Sequence, residues 1–178
     1  KALPFLRYIC VFHRQNGSVQ KKMVNFRNGL EKDITDIANL ERETFSDAWS
    51  EQSIGETFEQ NQAFITVAER NGNVVGYCII YYVLDEGEIA RIAVDKALRR
   101  QGIGQSLLDY TCRCCEEKHI ELLCLDVRQS NEVARRFYEQ YGFIQDGTRK
   151  GFYENPKEDA ILMSKAMFST RSEGERTL

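Results

Sequence analysis

Val94-Asp95-Lys96-Ala97-Leu98-Arg99-Arg100-Gln101-Gly102-Ile103-Gly104 is the stretch of this chain whose reading decides the fold. It joins the end of an apolar, strand-like run to the start of a long helix-like one. Glycines at 102 and 104 let backbone approach a phosphate with no Cβ in the way. The first N–H groups of a helix have no partner inside it, and the helix dipole favours negative charge there. Arg99 and Arg100 add charge-assisted donors. Together these features describe an anion cradle; the competing reading is an ordinary glycine-containing helix start with two solvated arginines. A Walker loop is excluded because Gly-x-x-x-x-Gly-Lys-Ser/Thr is absent. A dinucleotide fingerprint follows its strand directly, whereas here seven residues separate Val94 from Gly102.

Outward from this cradle the pattern alternates. Upstream, Met23–Arg27 reads as a strand, Asp33 to Thr44 as a helix capped by Asp33, and Ser50 to Gln60 as a second helix. Ala63–Ala68 and Val74–Val83 are strands joined by Asn71-Gly72, a hairpin turn whose residues tolerate positive φ. A strand from Glu88 to Val94 leads into the cradle, and the helix after it spans Gly102 to Lys118. Then come a buried strand, Glu121–Val127, and a helix from Asn131 to Tyr141 stopped by Gly142. Strands near Phe143–Arg149 and Asp159–Met167 close the chain. This is an α/β (α+β) pattern with one central mixed sheet flanked by helices. Residues 1–22 lack periodicity and read as an N-terminal extension, residues 23–168 as the functional domain, and the polar residues 169–178 as a disordered tail.

The bulk properties set limits. The chain has 178 residues, enough for one domain with a substantial core and too few for two ordinary ones. Apolar residues make up 42% and charged residues 29%, the balance of a globular protein. A net charge of -3 argues against a nucleic-acid or membrane-surface binder, which would carry a basic excess. No apolar run approaches the ~20 residues of a membrane span, and Arg7 interrupts the apolar Leu3–Phe12 run, so no secretory leader is expected. The six cysteines, with Cys114 beside Cys115, do not suggest a disulfide framework, and the cytoplasm is the expected compartment. Cys112, Cys114, Cys115 and His119 fall close together, but their spacing matches no zinc pattern, so no metal is expected. None of the cysteines reads as a nucleophile.

Arg99-x-x-Gly102-x-Gly104 resembles the pyrophosphate-binding motif of the GNAT acetyltransferase superfamily. Within it the chain is similar to the branch that acetylates ribosomal-protein N-termini (the RimI type). The similarity is carried by Asp85-Glu86 through Ile92-Ala93-Val94-Asp95, by Leu125-Asp126-Val127-Arg128-x-Ser130-Asn131, by Tyr138-Glu139-x-x-Gly142-Phe143 and by Glu158-Asp159-Ala160-x-x-Met163, and it covers Met23 to Met167. The resemblance implies the GNAT acyl-CoA N-acyltransferase fold, with acetyl-coenzyme A as co-substrate in a cleft between the strands ending at Val94 and Val127. It implies pantetheine contacts from the backbone of Ile92, Ala93 and Val94. It implies pyrophosphate contacts from Arg99, Arg100, Gln101, Gly102, Ile103, Gly104 and Gln105, and further coenzyme contacts from Asn131 and Tyr138. The implied acceptor is a protein N-terminus or peptide, such as an alanine-initiated ribosomal protein, met by a monomer or weak dimer without direct nucleic-acid contact. The same chemistry on a lysine side chain, a polyamine or a small molecule is a second reading, and a non-catalytic coenzyme-binding module a third.

Catalytic candidates follow from the same resemblance. Tyr138 lies seven residues after Asn131, close to two helical turns and about 10 Å along the axis. By resemblance its hydroxyl protonates the departing thiolate; core packing is its bland reading, and helix capping is that of Asn131. The acceptor arrives as an ammonium and needs a base. Asp126 stands where the branch has glutamate, one methylene longer. Glu88 occupies the position where many superfamily members carry theirs. As a purely structural carboxylate, Asp126 needs a partner in its apolar strand, and Arg128, two residues on, shares its face. Glu88, for its part, reads equally as a solvated strand charge. Trp49 in Phe45–Ser50, with Ala48 where the branch has proline, and Phe152 and Tyr153 in Arg149–Tyr153 are the expected acceptor contacts. Arg91 stands where a small polar residue is usual. It faces either the acceptor or, with equal weight, solvent or phosphate.

Overall fold

The computed structural model describes residues 8–12 and 21–167. The expected tail, 169–178, and most of the expected extension lie outside the described residues. The described residues form two compact units, one of those up to residue 81 together with 89–113, and one of residues 82–88 with 114–167.

In the first unit, β1 (Tyr8–Phe12), β2 (Lys21–Asn28), β3 (Ala63–Arg70) and β4 (Asn73–Val83) pair antiparallel in succession. The later part of β5 (Glu86–Val94) completes the order β1-β2-β3-β4-β5. β1 was not expected from sequence, and β2 begins two residues ahead of Met23 because the polar Gln20-Lys21-Lys22 run masks a strand start. The β3–β4 turn is as expected, with Asn71 at φ 54° and Gly72 at φ 85°.

α1 (Ile34–Thr44) and α2 (Glu51–Phe58) pack their apolar stripes on this sheet, and α3 (Ile103–Glu117) opens in the same unit. Ile37, Ala38, Leu40 and Ile54 from the helices meet Ile65, Val67, Val74, Tyr77 and Ile79 from the strands. Each such fully buried aliphatic side chain is worth roughly 1.5–3 kcal/mol of transfer free energy. Ser50 caps α2 by accepting from the Ser53 N–H at 3.1 Å.

Asp33 precedes α1, as expected, but does not cap it. Its carboxylate takes two hydrogen bonds from Arg27, at 2.6 and 2.9 Å, and one from the Leu30 N–H at 2.8 Å. Burial raises the pKa of this group, yet the Arg27 and Leu30 bonds outweigh it and hold the carboxyl below its ordinary value.

In the second unit the start of β5, β6 (Leu122–Arg128), β8 (Lys157–Ala166) and β7 (Ile144–Glu154) pair in that order, with α4 (Glu132–Gln140) between β6 and β7 in the chain. β5 and β6 are parallel, through Glu86–Leu122, Gly87–Leu123 and Glu88–Cys124. β6–β8 and β8–β7 are antiparallel, so the sheet is mixed, as the sequence predicts. β6 buries Leu123, Leu125 and Val127 and turns Cys124, Asp126 and Arg128 to the other, half-buried face. β7 runs five residues past the expected Arg149; its mostly exposed, glycine-interrupted sequence hides the strand period.

Candidate active site

The cradle begins at the end of β5. Asp95 accepts from the Ala97 N–H at 2.8 Å and so starts a short 3-10 turn, Lys96–Leu98. Arg99 Nε donates to the Val94 carbonyl at 3.0 Å, which fixes the arginine stem against the strand end. Arg100 and Gly102 then both adopt positive φ, 63° and 78°. A Cβ on Gly102 meets nothing within 4 Å, so this glycine answers a backbone conformation and leaves an open approach. The α3 ladder starts with Ser106 N–H to the Gly102 carbonyl at 3.1 Å, so the Ile103 and Gly104 N–H groups precede it at the positive end of the dipole. Arg99, Arg100 and Gln105 are exposed around this opening, and Ile103 is buried beneath it. These residues fit an anionic diphosphate. Ile92 and Val94 are half-buried and Ala93 is buried, with the Ala93 carbonyl 3.1 Å from where a Cβ on Gly76 would sit.

Also in the first unit, Glu41 is fully buried. Tyr77 Oη donates to its Oε1, and the Trp49 N–H donates to Oε2 at 2.9 Å. Burial, and then the Glu41 carboxylate, push the Tyr77 phenol far above its ordinary value, so Tyr77 stays a donor. Sequence reading passed over Glu41, although it lies four residues after Ile37 on the apolar stripe of α1. Arg91 sits beside it, with Nε 3.9 Å from Glu41 Oε2 and Nη2 3.0 Å from both the carbonyl and the carboxylate of Asp47. Its guanidinium lies 4.8 Å from the Phe45 ring centre and 5.3 Å from that of Trp49. Arg91 therefore faces the Phe45–Ser50 loop, with only 15% of its side chain exposed.

In the second unit α4 holds two of the expected residues. Asn131 caps it by accepting from the Ala134 N–H at 3.1 Å. Tyr138 is buried in the last turn of the helix, its ring edge-on to Phe137 at 5.4 Å and to Phe143 at 5.5 Å. The helix stops at Gly142, φ 83°, with Gly142 N–H donating to the Glu139 carbonyl and Phe143 N–H to that of Tyr138, both at 3.0 Å. This paired closure, with its ring contact, fixes the backbone of Tyr138.

The two candidate bases lie on neighbouring strands. Glu88 pairs with Cys124 in the parallel register, and Asp126 follows Cys124 on the same face of β6. Glu88 is exposed. The partner expected for Asp126 was Arg128; the partner found is Arg149, whose Nη1 is 3.2 Å from Asp126 Oδ2. Arg128 turns instead to Glu158 and to the carbonyls of Asn155 and Pro156, with its guanidinium 4.1 Å from the Tyr153 ring centre. The β7–β8 hairpin end offers Arg128 two carbonyls, a carboxylate and a ring at once, while β7 brings Arg149 to Asp126. Glu158 also accepts from the Ser130 N–H, which ties the start of α4 to β8. Tyr153 Oη donates to the Asp126 carbonyl at 3.4 Å, and Phe152 stays exposed with the Arg149 guanidinium 4.8 Å from its ring centre. The Cys124 thiol is pushed up by burial first and then by Asp146, Glu86, Glu88 and Asp126.

His119 lies beyond the end of α3 at φ 58°, so it does not continue a helical face with Cys115. Among the described residues no group of three or more histidine, cysteine or acidic side chains is placed to hold a metal ion.

The model of the acetyltransferase (GNAT) family matches residues 34–143. The chain is 34% identical over 138 residues to a putative [ribosomal protein bS18]-alanine N-acetyltransferase of Bacillus subtilis, covering 77% of this chain and 91% of that one. It is 33% identical over 137 residues to the [ribosomal protein bS18]-alanine N-acetyltransferase of Escherichia coli K12, covering 74% and 90%. The crystal structure of the ribosomal-protein-S18-alanine N-acetyltransferase from Escherichia coli superposes with a TM-score of 0.78 at 28% identity, over 88% of this chain and 99% of that one. Matched by a family model over most of its length and by relatives across nine-tenths of theirs, this chain belongs to the acetyltransferase (GNAT) family and is an acetyl-coenzyme A-dependent N-acetyltransferase.

Proposed function

We propose that the acceptor is the free N-terminal amine of a protein, an alanine-initiated ribosomal protein being the preferred one. The observation that carries this reading is the extent of the likeness to the two bS18-alanine enzymes, which takes in nearly all of each relative. Two carboxylates on neighbouring strands support it, because Asp126 on β6 and Glu88 on β5 can meet an arriving ammonium. The reaction runs in the cytoplasm on a protein or peptide, with no direct nucleic-acid contact, by a monomer or weak dimer.

In this reading Arg99, Arg100 and the backbone from Gln101 to Gln105 hold the diphosphate of acetyl-coenzyme A, and the backbone of Ile92, Ala93 and Val94 takes the pantetheine arm. Asn131 spends its side-chain oxygen on the α4 cap, so its amide NH₂ is the group that meets the coenzyme. The ammonium gives one proton to the base, and the neutral amine attacks the thioester carbonyl. As the C–S bond breaks, the thiolate takes the Tyr138 proton; the nitrogen sheds its second proton to solvent, solvent returns one to the Tyr138 phenolate, and the base releases the first, leaving an amide, free coenzyme A and one net proton. Asp126 is the base through a bridging water, since Arg149 occupies Oδ2 and the side chain is short; Glu88 ranks second. Trp49, with Arg91 beside it, is the acceptor contact proposed in the first unit, and Phe152 and Tyr153 are those proposed in the second.

The test is a panel of acceptors at saturating acetyl-coenzyme A. A peptide beginning with alanine should be acetylated at its α-amine far faster than the same peptide with a blocked N-terminus and an internal lysine, or than a polyamine. A preference for lysine or polyamine overturns the acceptor assignment. Tight coenzyme binding with no acetylation of any amine leaves only a binding module.

We further propose that residues 23–168 carry the activity. A chain lacking residues 1–22 is expected to keep its circular dichroism and its turnover, because β1 adds only an edge strand to β2. Loss of either quantity assigns the N-terminal segment to the catalytic domain.

A further inference from the structure

We infer that Arg91 is a positioning residue that holds the Phe45–Ser50 loop in its acceptor-binding shape and so sets acceptor affinity. The inference rests on the reading of Trp49 as an acceptor contact.

The loop is six residues of non-helical chain between α1 and α2. Both of its ends are fastened to the protein. Phe45 N–H donates to the Glu41 carbonyl at 2.8 Å, Trp49 N–H donates to the Glu41 carboxylate, and Ser50 caps α2. Its middle is held from β5. One guanidinium nitrogen of Arg91 binds both the carbonyl and the carboxylate of Asp47, while the central carbon of the group lies over the Phe45 and Trp49 rings. A planar cation against two rings, bonded at its rim, fixes ring orientation in a way that an ammonium does not. The positive charge of Arg91 faces Glu41 and Asp47, so it is compensated within the first unit. Arg91 therefore selects acceptors through loop shape, by ordering the wall before the acceptor arrives, and not through attraction of its own charge.

Trp49 is the sole tryptophan in the chain, so its fluorescence reports this loop directly and without reference to turnover. Arg91→Asn is expected to make Trp49 more accessible to acrylamide and to raise the acceptor KM by about tenfold, with a smaller effect on kcat and none on acetyl-coenzyme A affinity. Arg91→Lys should fall between, keeping the ion pair and losing the planar contact. Asp47→Asn removes the loop's anion from a side chain that is 61% exposed, so it does not disturb the core and should move both readouts in the same direction by less. Unchanged quenching together with unchanged acceptor KM in Arg91→Asn and Asp47→Asn overturns the inference. A raised KM with unchanged quenching also overturns it, by showing that Arg91 touches the acceptor itself. Raised quenching with an unmoved KM overturns the link to acceptor affinity and removes Trp49 from the acceptor site, while the proposed acetyl transfer to N-terminal amines stands or falls on the acceptor panel alone.

Discussion

Tyr138→Phe is expected to lower kcat by about a hundredfold or more, the usual size of a lost general acid, while acetyl-coenzyme A binds as before. The substitution removes one oxygen and keeps the ring. The contacts that fix the residue are made by that ring, against Phe137 and Phe143, and by its backbone carbonyl, which closes α4 with Phe143. Neither of these depends on the hydroxyl, so the variant should keep its fold, and the melting temperature reads whatever stability the hydroxyl itself contributes. Turnover under saturating substrates, calorimetric titration with acetyl-coenzyme A and a thermal melt together separate the chemical loss from a packing loss. Wild-type kcat in a folded Tyr138→Phe enzyme shows that the residue only packs, and the thiolate must then leave without it.

Asp126→Asn is the second change with a large expected effect, about a hundredfold in kcat/KM if the carboxylate takes the amine proton. Asparagine keeps the shape and can still accept from Arg149, so the hairpin contact is weakened and not replaced by a void. Glu88→Gln is the control on the neighbouring strand and should cost far less. The variant that carries the base should also change the pH dependence of turnover, since the group that must lose its proton is gone. If Glu88→Gln is the severe one, the roles exchange. If both variants turn over at the wild-type rate, neither carboxylate belongs in the mechanism and the amine is deprotonated by solvent.

The strand-to-helix turn at Gly102 was legible because its signals are local. Two glycines, two arginines and the change from strand to helix period all lie within eleven residues, and the positive φ of Gly102 is what such a glycine is for. The Asn71-Gly72 turn and the Gly142 helix stop were legible for the same reason. What escaped depends on partners that arrive from other elements of the fold. Asp33 has the residue type of a helix cap, but Arg27 arrives from β2 and takes its carboxylate. The pairing of Asp126 with Arg128 followed correctly from strand alternation and was still wrong, because β7 brings Arg149 to the same carboxylate. Glu41 was readable as a polar break in an apolar stripe; its partners on β4 and in the Trp49 loop were not.

The company Cys124 keeps has a consequence for the fate of the acetyl group. Thioesters exchange readily with thiolates, so an ionised sulfur next to Asp126 would intercept the donor and park the acetyl on the protein as a dead-end adduct. Held up first by burial and then by Asp146, Glu86, Glu88 and Asp126, this sulfur keeps its hydrogen. In the proposed reaction, burial and the carboxylates meant for the incoming amine thus also silence a rival nucleophile, and the enzyme handles its activated donor without modifying itself.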